Sequence, residues 1–208
     1  MKPELIYIQD ALCGWCYAFS PVFSKLKTEF AERMKVDVLA GGMVVGDRVQ
    51  PVSHMASYIL GAIPRVEEFS GVSFGEAYKN ILKEGNGIYG SEKPSRALQV
   101  IKQLSPEHAV HFAHEIQKGF FTEGKSMEED ESYREVLKKL DIPEKDFFLK
   151  MADVNVKNAT QEEFNFVKRL GVSGFPTVIA KKDEQYYLIA QGFRKYEDIQ
   201  PVIEKFLA

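Results

Sequence analysis

Two cysteines three residues apart, Cys13-Gly14-Trp15-Cys16, are the only cysteines in a chain of 208 residues. With no others present, a disulfide scaffold is excluded. A bridge across so short a loop removes little entropy from the unfolded chain, so stability is a poor reason for the pair. Structural zinc is no better, because no second Cys pair exists to complete its ligand set. Thiol chemistry remains, and the flanking pattern says where it happens. Leu5-Ile6-Tyr7-Ile8 is a short β-prone run of the kind that makes a buried strand, and four residues separate it from Cys13. From Phe19 onward Val22, Phe23, Leu26, Phe30 and Met34 recur at spacings of three and four, the stripe of one helical face. The dithiol therefore sits at a strand-to-helix turn, where unpaired backbone N–H groups and the positive end of the helix dipole favour a thiolate. On this reading Cys13 is the acidic, accessible, attacking thiol. Cys16, one turn further in and shielded, is the resolving one.

Val36-Asp37-Val38-Leu39-Ala40 reads as a second strand stopped by Gly41-Gly42, so β-α-β is complete by residue 40. Pro21, early in the intervening helix, is expected to kink it unless it falls in the first turn. From about residue 50 to residue 158 the texture is helical, broken at Gly85-Asn86-Gly87, Pro94, Pro106, Gly119, Gly124 and Pro143. Ala97, Val100, Ile101 and Leu104 form one apolar stripe, and Val136, Leu137 and Leu140 end another. Thr160 to Glu163 has the spacing of a capping box, which predicts a helix start there, with Phe164, Val167 and Leu170 on one face and Gly171 as its stop. Thr177 to Ala180, a Lys-Lys-Asp-Glu turn and Tyr186 to Ala190 read as an antiparallel hairpin, and a last helix follows over about 196–207. The order is that of an α/β protein in which a thioredoxin fold, residues 1–48 and 158–208, is interrupted by a helical insertion, residues 49–157.

The segment Asp10-Ala11-Leu12-Cys13-Gly14-Trp15-Cys16-Tyr17-Ala18-Phe19-Ser20-Pro21 resembles the active-site segment of DsbA-family oxidoreductases, and most of all their FrnE-like cytoplasmic branch. That branch usually shows Asp-x-x-Cys-Pro-Trp-Cys-Tyr; here Gly14 replaces the proline, within the dipeptide that tunes redox potential. About 160 residues downstream, Gly171-Val172-Ser173-Gly174-Phe175-Pro176-Thr177 resembles the family's cis-proline segment, Gly-Val-x-Gly-x-Pro, just ahead of a strand. The resemblance covers roughly residues 4–40 and 158–208. It implies a thiol–disulfide oxidoreductase acting on protein or small-thiol substrates, glutathione among them, with Cys13 and Cys16 catalytic and no cofactor beyond that dithiol. It further implies a cis bond at Pro176 facing the cysteines, so that the preceding backbone can pair with an extended substrate. Trp15 and Phe175 would then supply contact surface. Asp10, three residues before Cys13, either relays protons to the thiols or caps the turn.

The remaining sequence excludes more than it assigns. A net charge of -3 with scattered Lys and Arg gives no basic stripe for nucleic acid. No apolar run approaches the roughly 18 residues of a membrane span. Met1-Lys2-Pro3-Glu4 leads straight into the first strand without an apolar leader, which reads as cytoplasmic. His108, His111 and His114 recur every three residues, but the six residues they span rotate too far for one metal site, and none is expected. Glu128-Glu129-Asp130-Glu131 reads as a solvated helix start, and Met43 as a core residue rather than a groove wall. Oligomeric state has no signature here. Two other functions share these features. One is a glutathione-dependent transferase or isomerase resembling kappa-class and 2-hydroxychromene-2-carboxylate isomerase enzymes, against which the second cysteine argues. The other is a non-enzymatic DsbA-like adaptor that recruits a partner protein.

Overall fold

The computed structural model describes residues 2–208. At its centre β1 (Glu4–Gln9) lies between β2 (Lys35–Ala40), with which it runs parallel, and an antiparallel strand, β5 (Thr177–Lys182). Within the chain between them a two-residue ribbon, β3 (Gln50–Pro51) and β4 (Ile88–Tyr89), stands apart, and β6 (Gln185–Gln191) completes the main sheet in the order β2-β1-β5-β6. The β5–β6 hairpin turns on Asp183 and Glu184, both at positive φ (50° and 62°), the hand that a two-residue hairpin turn requires. The uninterrupted apolar run of β1 is explained by burial on both faces. Leu5 and Tyr7 join Phe19 and Phe23 of α1 (Gly14–Phe30), while Ile6 and Ile8 join Leu39, Ile179 and Val167. Phe19, Phe23, Leu26 and Phe30 are fully buried at the predicted spacing, each contributing roughly 2–5 kcal/mol against truncation to Ala. Met34 lies beyond the helix end, yet is buried too. The helix continues through Pro21, whose ring lies on the exposed face.

Between β2 and β5 run α2 (Ala56–Ser70), α3 (Glu76–Glu84), α4 (Glu92–Leu104), α5 (Ala109–Glu123), α6 (Glu131–Lys139) and α7 (Glu144–Met151), followed by α8 (Val154–Arg169); α9 (Tyr196–Leu207) ends the chain. Ala97, Val100 and Ile101 of α4 and Val136 and Leu137 of α6 are buried as predicted, while Leu104 is half-buried and Leu140 is buried just past the end of α6. One continuous core runs from the sheet through α1 into these helices. An aromatic knot of Tyr17, Phe74, Tyr78, Phe120 and Phe121 forms that junction. Among the described residues no helix is long and apolar enough to cross a membrane.

One local expectation is corrected. The capping box at Thr160 is not a helix start: α8 begins at Val154, where the Asp153 side chain accepts from the Asn155 N–H at 2.8 Å. Thr160 is inside the helix, its hydroxyl donating to the Val156 carbonyl, and Glu163 is buried, accepting from the Ala40 N–H of β2 (2.8 Å) and pairing with Lys102 (2.6 Å). The spacing is real, but its partners are tertiary. The acidic run 128–131 is exposed at the start of α6, as expected, with Asp130 at the cap position and Glu131 in the first turn; the Glu128 carbonyl and the Asp130 carboxylate also accept from Lys93 on α4.

Candidate active site

The turn from β1 into α1 sets the first sulfur. Cys13 is the residue that caps α1, its backbone still extended (φ −86°, ψ 110°), and its N–H donates to the Asp10 carbonyl at 3.1 Å. Its own carbonyl accepts from the N–H groups of Cys16 (2.9 Å) and Tyr17 (3.0 Å), so Cys16 stands one turn inside the helix. Both thiols are free. Cys16 is 0% exposed and Cys13 only 7%, so the two differ less in exposure to bulk water than the sequence leads one to expect. They differ in what they face.

Across from Cys13 the Phe175–Pro176 peptide bond is cis, and the Cys13 thiol donates to the Phe175 carbonyl at 3.7 Å. Pro176 is buried, and its carbonyl accepts from the Gly192 N–H just after β6 (2.8 Å). Among the described residues no hydrogen bond uses the Phe175 N–H. The Phe175 ring closes over Gly41: a Cβ there would lie 2.1 Å from its Cζ, so any larger residue would push the ring aside. Gly41 thus does more than stop a strand. It lets the proline segment approach the dithiol.

Behind Cys16 the surroundings are polar and paired. The Tyr7 hydroxyl donates to the Cys16 carbonyl (3.1 Å), and the Ser20 hydroxyl lies 3.1 Å from that carbonyl and 2.8 Å from Gln117 Oε1. Gln117, on α5, donates through Nε2 to Gln9 Oε1 (3.0 Å) and to the Asp10 carbonyl (2.9 Å). Asp10 is fully buried; Oδ1 accepts from the Leu12 N–H (3.0 Å) and the Ser91 hydroxyl (2.8 Å), and Oδ2 from the Met43 N–H (2.7 Å). It caps the turn and also ties it to the loop after β2 and to the start of α4. Burial raises the Asp10 carboxyl above its ordinary pKa, against the opposing pull of those three donors. Burial likewise holds the Cys16 thiol well above its usual value, with the neighbouring Cys13 adding to the rise. Gln9, Ser20, Ser91 and Gln117 escaped the sequence reading because isolated polar residues have no periodicity. Gln9, polar at the end of an apolar strand, was the one visible signal.

In front of Cys13 the space is open. A cavity of about 550 Å³ adjoins it, walled by Leu12, Met43, Ile59, Val66, Phe74 and Phe121 among others. Met43, expected in the core, is a wall residue. On the far side of Trp15 runs a groove bordered by Phe69, Phe175, Phe193, Arg65 and Arg194. Trp15 stands between the two, its ring 6.3 Å from Phe69 and 5.9 Å from Phe193. The histidines of α5 and the turn before it lie apart from this site: His111 approaches Glu115 (3.8 Å), His108 bonds Ser105, and His114 keeps a buried Nδ1 without a partner. Among the described residues no three His, Cys, Asp or Glu side chains are grouped to hold a metal.

No curated protein matches the sequence. Solved structures do. A "putative protein disulfide isomerase" from Nitrosomonas europaea superposes with a TM-score of 0.87 at 26% identity, over 100% of this chain and 98% of that one. The cytosolic disulfide reductase DsbM from Pseudomonas aeruginosa superposes with a TM-score of 0.83 at 24% identity, over 98% of both chains, and its structure with GSH gives 0.80 at 23% over the same shares. These last two establish likeness of fold. The family model of the DSBA-like thioredoxin domain matches residues 5–203, nearly the whole length, and with the strand-to-helix dithiol and the proline segment opposite it, the chain belongs to that family.

Proposed function

We propose that this protein is a thiol–disulfide oxidoreductase in which Cys13 attacks a substrate disulfide and Cys16 resolves the product. The observation that carries the reading is the meeting of the Cys13 sulfur with the Phe175 carbonyl at 3.7 Å, with Cys16 enclosed behind it. A Cys13 thiolate at the start of α1 attacks one sulfur of the substrate, the substrate disulfide breaks, and one thiolate leaves. The free Phe175 N–H and its carbonyl can pair with the extended backbone on the bound half. Cys16 then attacks Cys13, expelling the second thiolate and leaving a Cys13–Cys16 disulfide. Timing follows from electrostatics. While Cys13 carries charge it opposes ionisation of Cys16; once Cys13 is in a mixed disulfide that charge is gone, and Cys16 ionises when it is needed.

In this reading the dithiol is the only redox group required, Trp15 and Phe175 border the substrate, and Asp10 positions the turn. Substrates are protein or small-molecule disulfides, with glutathione as a candidate thiol; the DsbM relative, a cytosolic disulfide reductase with a GSH-bound structure, supports reduction in the cytoplasm as the direction. The thioredoxin-like unit is assigned to residues 1–48 and 158–208 and the insertion to 49–157. The test is trapping. Cys16→Ser should accumulate mixed disulfides with cell proteins or small thiols on non-reducing analysis, and Cys13→Ser with Cys16→Ser should accumulate none. Equal, reductant-insensitive recovery of partners by both variants would overturn the enzyme reading in favour of an adaptor.

A further inference from the structure

The two spaces flanking Trp15 differ in chemistry, and the difference speaks to the substrate. Of the side chains lining the cavity beside Cys13, only Asp47 and Arg48 are charged, one of each sign and both exposed to solvent. Arg48 turns one of its N–H groups to the Gly42 carbonyl at 2.8 Å. The other walls are aliphatic, aromatic or methionine, apart from Cys13 itself, Gln50, the Tyr58 hydroxyl and the Tyr78–Tyr89 hydroxyl pair, 2.8 Å apart, which satisfies itself apart from one remaining proton. An ionised group entering the part of this space walled by Ile59, Ile63, Val66, Phe74 and Phe121 would lose hydration and meet no charged partner among those walls. The groove beyond Trp15 is the opposite. It carries Arg65 and Arg194, and among the described residues neither guanidinium has a carboxylate partner, so its field favours an anion. Trp15, Tyr58 and Ala62 belong to both walls; Cys13 lines the cavity and Phe175 the groove. The reactive sulfur therefore stands where the two spaces meet.

We propose that the preferred substrate is an asymmetric small disulfide, with one compact apolar arm for the cavity and one anionic, peptide-like arm of the glutathione type for the groove. This rests on the exchange reading above and adds the substrate class to it. A volume of about 550 Å³ is within the range that holds a small organic ligand, so a benzyl or short alkyl arm fits. The peptide-like arm lies along the Phe175 backbone with its carboxylates toward Arg65 and Arg194. Symmetric glutathione disulfide must place a charged arm in the apolar cavity, and a protein disulfide has no small terminal arm to place there. The Cys13 thiolate attacks the sulfur of the peptide-like arm; the apolar thiolate leaves and takes a proton from water. Cys16 then displaces the peptide-like thiolate from Cys13. One disulfide has become two thiols, and the protein dithiol has become a disulfide. A small dithiol reductant restores the protein dithiol by two successive exchanges and leaves as its own cyclic disulfide.

The test is a single-turnover oxidation of the fully reduced protein by benzyl glutathionyl disulfide, glutathione disulfide or bis(2-hydroxyethyl) disulfide, quenched in acid and followed by the mass of the alkylated chain. The ratio of rate constants for the first two, divided by the same ratio for free dithiothreitol, should be about tenfold or more, the effect of burying part of an aromatic arm. In Ile59→Trp, which fills the cavity, this ratio should fall toward one. In Arg65→Ala with Arg194→Ala both glutathione-bearing disulfides should slow relative to the hydroxyethyl one. A wild-type ratio equal to that of dithiothreitol overturns the proposal while exchange chemistry stands, and it is decisive even if the Ile59 variant does not fold. Failure of all three disulfides to oxidise the protein would instead overturn the exchange reading and the proposal together.

Discussion

Behind Cys16, toward β1 and α5, the neighbours are hydrogen-bonded polar groups, Tyr7, Gln9, Ser20 and Gln117; in front of Cys13, toward α2 and α3, they are apolar and leave room. A buried polar network has few low-energy arrangements, since each unmade bond is costly at low dielectric, so it holds the resolving sulfur and the turn in one geometry. Apolar walls around a void impose no such register and tolerate change. One side of the dithiol is thus built for position and the other for accommodation.

The largest test of that contrast is Asp10→Ala, which leaves Leu12 N–H, Met43 N–H and the Ser91 hydroxyl without their acceptor. The reduced protein should lose about 3–5 kcal/mol in urea unfolding; a loss under about 1 kcal/mol would show that the polar side is not the stiff one. Gln117→Leu, which strips partners from Gln9, Ser20 and the Asp10 carbonyl, should cost about 2–3 kcal/mol by the same measurement. Tyr7→Phe removes one hydroxyl bond to the Cys16 carbonyl and should cost about 1 kcal/mol. On the open side, Met55→Ala truncates a half-buried side chain that already borders the cavity, and a loss of about 1 kcal/mol or less is expected. Should Met55→Ala cost more than Tyr7→Phe, the contrast between the two sides would be reversed.

The smallest effect is in pH. Because the folded state raises the Asp10 pKa, it binds that proton more tightly than the unfolded chain does. The stability from this linkage is complete below the ordinary carboxylate range, about pH 4, and is lost as pH rises through the folded value. The unfolding free energy of the wild type minus that of Asp10→Asn should therefore fall from pH 4 upward; a rise would mean that the three donors outweigh burial.

Much of the architecture was legible because it depends on local spacing. β1, β2, the β5–β6 hairpin and α9 lie where the apolar runs and turn residues put them, since a strand buried on both faces needs an unbroken apolar run and a helix against a sheet needs its three-and-four stripe. The Thr160 capping box shows where such reading ends. The same four-residue spacing serves a helix start or, as here, a buried carboxylate that meets Ala40 and Lys102 from far along the chain.

The sequence by itself determined that two cysteines stand one helical turn apart after a buried strand, because that follows from their spacing and the apolar pattern around them. It also determined the family, through two motifs that the family model spans together. Only the tertiary structure decided what each sulfur faces. Gly41 meeting Phe175, Asp10 bonding Ser91 and Met43, and Gln117 bridging Gln9 and Ser20 join residues 33 to 134 positions apart, and no local period encodes such pairs. Those long-range contacts make one side of the dithiol closed and polar and leave the other open and apolar, which local propensity cannot specify because it depends on which surfaces the completed fold brings together.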